Sequence, residues 1–197
     1  MKMISELILT AFYTVFVQNL VLSSGLGMSE VIRVSTKPGT FGKFAAMISG
    51  FSVVTSFLCG LIDRVTAGAD KSYAVRALIY GAVLAAVYII VAVVAKFVFR
   101  ASDTLLGTLG IAALNTLVFA IPHINSSAAY SLAGSVGSGL GAGIAFVVAA
   151  TLINRGSKLI AENDEIPEAF KGTPAMFFYV AMISLAFAGF SDTNIFG

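Results

Sequence analysis

The chain has 197 residues, 58% of them hydrophobic and only 11% charged. Soluble domains carry about a quarter charged residues, so this surface is not mostly wet and a soluble enzyme is excluded. The formal net charge of +2 is too small for a nucleic-acid binder, and the single cysteine, Cys59, excludes an internal disulfide or a multi-thiolate metal site built by this chain alone.

Apolar runs fall at about 4–28, 41–62, 74–99, 105–122, 127–153 and 173–191. A membrane-spanning helix needs about 20 apolar residues. Lipid admits only helices and closed barrels, because each backbone group must find its partner within the protein. These runs are continuously apolar rather than alternating, which selects helices. The expected fold is an all-α membrane protein of six transmembrane helices, with residues 1–197 forming a single integral membrane domain. Lys2 before the first run resembles a signal peptide. Glu6 interrupts that pattern and no small-x-small cleavage site follows, so the run reads as a retained first helix.

The segments between runs read as loops: 30–43, 63–76, 96–103, a short Pro122-His123 turn, and 154–171. Basic residues favour the cytoplasmic side. Lys2, Arg64, Lys71 and Arg76 fall on the side of the termini. Arg33, Lys37, Lys43, Lys96, Arg100, Arg155, Lys158 and Lys171 fall on the other. Four against eight places both termini outside. It also places 154–171, with Glu162, Asp164, Glu165 and Glu168, in the cytoplasm, as a solvated loop or a docking surface for a partner.

Polar residues inside apolar runs are costly and are the natural functional candidates. Asn19 in Gln18-Asn19-Leu20-Val21 and Asn115 in Leu114-Asn115-Thr116-Leu117-Val118 occupy matching places in the first and fourth runs. Such a match predicts two inverted halves, about 1–100 and 101–197, meeting at interrupted helices near the midplane. The two amides either line an ion path or simply bond between helices. Ser23, Ser24, Gly25, Gly27 and Ser29 form a small, polar stretch where a helix can unwind, and Asn125, Ser126 and Ser127 form a similar one after the fourth run. In the fifth run, Gly137/Gly141 and Gly139/Gly143 are two GxxxG pairs, which point to close helix packing. Neither a preceding strand nor a following Lys supports a phosphate loop there. His123 is a lone imidazole, and Cys59 reads as a small buried hydrophobe.

Several segments together resemble the Rnf/Nqr family of integral membrane subunits, of the type of the Rnf A and Nqr E subunits. The C-terminal part carries most of the likeness: Ile166-Pro167-Glu168-Ala169-Phe170-Lys171-Gly172, then Ile183-Ser184-Leu185-Ala186-Phe187-Ala188-Gly189-Phe190-Ser191. The run from Val17-Gln18-Asn19-Leu20-Val21-Leu22 to Leu26-Gly27 is similar to the family's N-N-F-V-L…L-G pattern. Phe57-Leu58-Cys59-Gly60-Leu61-Ile62-Asp63 and Leu105-Leu106-Gly107 are similar to the second helix and the start of the fourth.

The resemblance implies an inverted three-plus-three repeat in a bacterial cytoplasmic (inner) membrane, with both termini outside. The chain would be a membrane subunit of an ion-translocating electron-transport complex, partnered by other membrane subunits, among them a homologous subunit of opposite orientation. It also implies an intramembrane [2Fe-2S] cluster shared with that homologue, each subunit giving two thiolates. This sequence departs there. Ser29 stands at the first-helix cysteine position, Thr116 at the fourth-helix position across a one-residue gap, and Cys59 matches a cysteine that is not a ligand. No cofactor is therefore expected on this chain alone, and a cluster-less paralogue acting as scaffold or ion-path half is expected instead. Asn19, Ser29, Asn115 and Thr116 are its midplane candidates, and none is a metal ligand. The alternative is a small inverted-repeat transporter or channel without redox chemistry.

Overall fold

The computed structural model describes residues 2–66 and 72–192. Lys71, counted in the orientation argument, lies outside the described residues. Helices α1 (Lys2–Phe16), α2 (Leu20–Ser24) and α3 (Met28–Ser35) come first. A single 3-10 turn, Pro38–Thr40, leads into α4 (Phe41–Val65), followed by α5 (Tyr73–Phe97), α6 (Asp103–Ala113), α7 (Thr116–Ser127), α8 (Leu132–Glu162) and α9 (Thr173–Asp192). Among the described residues there is no strand. Four stretches are long and apolar enough to cross a membrane: Pro38–Val65, Tyr73–Phe97, Asp103–Ser127 and Leu132–Glu162. The apolar part of α9, Thr173–Gly189, is shorter. The chain is a multi-pass membrane protein.

Serine caps start three of these helices. Ser72, Ser102 and Ser131 each accept a backbone N–H from the first turn of α5, α6 and α8. Each thereby satisfies a donor that a helix start leaves open.

Helix α8 is the axis of the bundle and the most enclosed of the four long stretches. Its glycines decide what lies beside it. A Cβ on Gly137 would strike the Leu7 carbonyl, and one on Gly141 would lie 2.7 Å from the Ala11 carbonyl, both on α1. A Cβ on Gly139 would lie 2.7 Å from the Val53 nitrogen, and one on Gly143 2.7 Å from the Ala45 carbonyl, both on α4. The two GxxxG pairs thus serve two different neighbours on two faces of one helix. In lipid, association rests on close packing rather than on water exclusion, so small faces matter more. Around them Val21, Leu22, Ile48, Leu117, Ile121, Phe146 and Ile153 form a closed apolar core. Outward, Leu78, Ile90, Phe177 and Leu185 are exposed, as lipid-facing side chains are.

Three expected loops are helical instead. Pro122 and His123 lie inside α7, and the turn comes later, at 128–131. A spanning helix tolerates proline, since neighbouring helices and side chains re-satisfy the freed backbone group. His123 is half-buried there between Tyr73, Tyr80 and Phe119, with ring centroids 4.7–6.2 Å away. Residues 154–162 continue α8. They remain helical because the extension packs: Asn154 Nδ2 donates to the Ser35 carbonyl at 2.6 Å, closing the end of α3, and Gly156 lies under the Tyr179 ring. Finally, the start of the 30–43 segment belongs to α3, steadied by the Arg33–Glu30 ion pair at 2.6 Å.

Candidate functional site

The chain leaves the helix twice inside apolar sequence, and an asparagine caps each restart. Asn19 is fully buried. Its Oδ1 accepts the Leu22 N–H at 3.2 Å, and its Nδ2 donates to the Val15 carbonyl at 3.0 Å. One side chain therefore closes the end of α1 and the beginning of α2, satisfying orphan groups that lipid could not. Ser23 Oγ donates to the Asn19 carbonyl at 2.8 Å. Past α2, Gly25 and Gly27 take left-handed conformations, φ 68° and 76°, which turn the chain into α3.

At the second break, Asn115 is 4% exposed and precedes α7. Its Oδ1 accepts the Leu117 N–H at 2.8 Å, while its Nδ2 is buried without a partner among the described residues. The two breaks touch. Gly27 N–H donates to Thr116 Oγ1 at 2.9 Å across 89 residues of sequence. A Cβ on Gly27 would lie 2.7 Å from Asn115 Oδ1. Both conformation and space demand glycine here, so Gly27→Ala is expected to lower stability by about 1–3 kcal/mol. The check is the thermal midpoint of the purified protein in detergent, which should fall well below that of Gly25→Ala, where the added methyl meets open space.

A cavity of about 330 Å³ opens at this junction, bordered by Ser29, Glu30, Gly110, Leu114, Asn115 and Thr116. Three of the four sequence candidates, Ser29, Asn115 and Thr116, are thus brought together. The fourth, Asn19, lies in the closed core beside the first break and does not border the cavity. Around the cavity stand two hydroxyls, a carboxylate and an amide. This is a hard-oxygen set, suited to water and hard cations rather than to iron–sulfur ligation, which needs thiolates. Thr116 Oγ1 is already engaged by Gly27. Cys59, 1% exposed on α4, does not border the cavity. The residues present do not fit a [2Fe-2S] cluster.

A second polar region lies where α4 and α7 end and α5 and α8 begin. Tyr80 donates to the Asp63 carboxylate, and Arg76 Nη1 donates to Ser126 Oγ at 3.1 Å. Sequence reasoning passed over Asp63 and Arg76 because each sits at the edge of an apolar run and reads as a loop charge. The usable signal was the placement of Asn125, Ser126 and Asp63 at the ends of neighbouring runs.

A family model described as "Rnf-Nqr subunit, membrane protein" matches residues 7–193. Curated relatives match over nearly their whole length. The A-type subunit of the ion-translocating oxidoreductase complex of Pasteurella multocida is 28% identical over 195 residues, covering 95% of this chain and 97% of the relative. The E-type subunit of the Na(+)-translocating NADH-quinone reductase of Neisseria meningitidis is 28% identical over 188 residues, covering 92% and 95%. The A-type subunit of the Na(+)-translocating ferredoxin:NAD(+) oxidoreductase complex of Acetobacterium woodii is 27% identical over 199 residues, covering 96% and 98%.

Proposed function

The chain belongs to the Rnf-Nqr family of membrane subunits, and we propose that it is the A- or E-type subunit of an ion-translocating electron-transport complex, in a form that carries no cluster ligands. The observation that carries this reading is the pair of asparagine-capped breaks, Asn19 and Asn115, joined through Gly27 and Thr116. In the proposed arrangement α1–α2 and α9 complete six spans. The halves 1–100 and 101–197 are inverted repeats, and the junction is their midplane. The chain sits in a bacterial inner membrane with both termini outside, beside other membrane subunits that include a homologue of opposite orientation.

Ser29, Asn115 and Thr116 line the ion path at this midplane, and Asn19 holds the first break in shape. Restarting helices turn backbone N–H groups and unwound carbonyls toward a central site, and this arrangement handles ions in interrupted-helix membrane proteins. The chain contributes oxygen ligands there and leaves electron transfer to its partners.

Iron content and electron paramagnetic resonance of the complex purified through a tag on this chain test the reading. Flavin- and iron–sulfur-bearing partners are expected, with all iron assigned to them. A stoichiometric two-iron signal lost on Ser29→Ala or Thr116→Val would overturn the cluster-less form. Ion flux in liposomes containing this chain alone, with no redox partner recovered from membranes, would replace the reading with a transporter or channel.

A further inference from the structure

A larger cavity, about 600 Å³, lies at the opposite end of α7 from the junction and shares no bordering residue with it. Asn115 and Asn125 are ten residues apart on the chain, about 15 Å along a helix. The cavity gathers side chains from five helices. Glu6 comes from α1, Ser56 and Asp63 from α4, Arg76 from α5, Asn125 from α7 and Ser135 from α8.

Asn125 is 4% exposed, and neither its Nδ2 nor its Oδ1 finds a partner among the described residues. Ser56 is 1% exposed, and its Oγ is equally unbonded. Buried amides and hydroxyls in folded proteins are almost always bonded, so each exception asks for an explanation. Elsewhere in this bundle helix hydroxyls are satisfied four residues back: Thr10 donates to the Glu6 carbonyl, Thr14 to that of Thr10, and Thr108 to that of Thr104. Ser56 is not, nor are its neighbour Thr55 and, about one turn earlier on α4, Ser52.

The charges around it make no ion pair with one another among the described residues. Among the described residues, neither Glu6 nor Asp63 makes an ion pair, and the Arg76 guanidinium turns to Ser126 instead. Four charged side chains border this cavity, Arg64 among them exposed, and unpaired charges in a membrane protein face a water-filled cavity rather than lipid. The acceptors here are the unbonded Asn125 amide and Ser56 hydroxyl oxygens together with the Asp63 carboxylate, one oxygen of which also accepts from Tyr80, and oxygens of these kinds are the ligands of hard cations. Two carboxylates against Arg64 and Arg76 leave the wall neutral, which suits a single positive charge better than a double one. The C-terminal ends of α4 and α7 add negative dipole ends, while the N-termini of α5 and α8 are closed by the Ser72 and Ser131 caps.

We propose that this cavity is a binding site for a partly hydrated monovalent cation, held by the Asp63 carboxylate, the Asn125 carboxamide oxygen and Ser56 Oγ at its inner wall. The site is built into this chain alone. Its use as a port of an ion path rests on the subunit role proposed above, but binding does not.

The test is thermal unfolding of the purified full-length chain in detergent, titrated with NaCl, KCl and choline chloride at constant ionic strength, with a choline acetate arm. A saturable rise in midpoint with Na⁺ or K⁺ over choline is expected. Asp63→Asn and Asn125→Ala should weaken the apparent affinity about tenfold or more, with a smaller loss in Ser56→Ala, a change too slight to prevent folding. The proposal is overturned by a flat alkali titration of the wild type, by an undiminished response in Ser56→Ala and the folded variants of Asp63 and Asn125, or by a midpoint that follows acetate, which would mark an anion held by Arg76. A flat titration removes the site and leaves the subunit role standing. Cation binding by a chain that recovers no redox partner does the reverse.

Discussion

Gly139→Ala and Gly141→Ala are each expected to destabilise the bundle, and the leucine variants are expected not to yield a folded protein. The obstacle at both positions is backbone, which cannot rotate away: the Val53 nitrogen at 2.7 Å for Gly139 and the Ala11 carbonyl at 2.7 Å for Gly141. Overpacking a filled core costs about 1–3 kcal/mol, and more where backbone must shift. Two helix pairings depend on these glycines, α8 with α1 and α8 with α4, so separating either opens the core around Leu22, Ile48 and Phe146. Gly50→Ala supplies the contrast. Gly50 lies within α4 with nothing within 4 Å of an added Cβ. There the same methyl group gains helix propensity, up to roughly 1 kcal/mol. Circular-dichroism melts of the three alanine variants in one detergent should place Gly139→Ala and Gly141→Ala below the wild type and Gly50→Ala at or above it. Equal midpoints for all three would refute the packing argument.

The second large effect is expected at the breaks. Asn19→Leu removes an N-cap and the bond to the Val15 carbonyl together. Losing a cap costs about 0.5–2 kcal/mol, and the buried carbonyl left unbonded adds a penalty of about 1–3 kcal/mol. Asn115→Leu removes only the cap on Leu117 N–H, because its amide nitrogen has no partner to lose. Stability therefore falls more in Asn19→Leu than in Asn115→Leu. Transport should rank the other way. Asn115 borders the junction cavity and Asn19 does not, so Asn115→Leu puts an apolar side chain into the proposed ion path.

The sequence made the broad plan legible because lipid narrows the choices. A continuous apolar run has to be a helix, and an asparagine inside one has to be explained. Asn19 and Asn115 stood out for that reason, and both cap restarts. Local pattern also separated the glycines of α8 into two pairs, but it could not say that Gly137 and Gly141 serve α1 while Gly139 and Gly143 serve α4. That assignment follows from three-dimensional packing. The same holds for Gly27, whose contact with Asn115 and Thr116 joins residues far apart in the chain.

Helix ends were least legible. Pro122 suggested a turn, yet α7 continues to Ser127 with Tyr73, Tyr80 and Phe119 packed against His123. Asn154 suggested the start of a loop, yet its amide has a structural task at the end of α3. The cavity around Asn125 was hidden for a related reason. Its wall comes from five helices, and most contributors, taken alone, resemble ordinary charged or polar residues near the edge of a span, while Ser56 is a single hydroxyl inside α4.

The central claim is that this chain serves redox-driven ion movement through the junction of its two breaks. It is tested most directly by radioactive sodium uptake and pH-probe response in membrane vesicles, energised with NADH or reduced ferredoxin. The vesicles come from cells lacking this chain and complemented with the wild type, Asn19→Leu or Asn115→Leu, at matched protein levels. The account predicts no redox-driven uptake without the chain, restoration by the wild type, substantial restoration by Asn19→Leu, and loss of more than about tenfold in Asn115→Leu. That loss corresponds to about 1.4 kcal/mol or more on the barrier to translocation. Undiminished uptake in vesicles that lack the chain, or full restoration by Asn115→Leu, would contradict it.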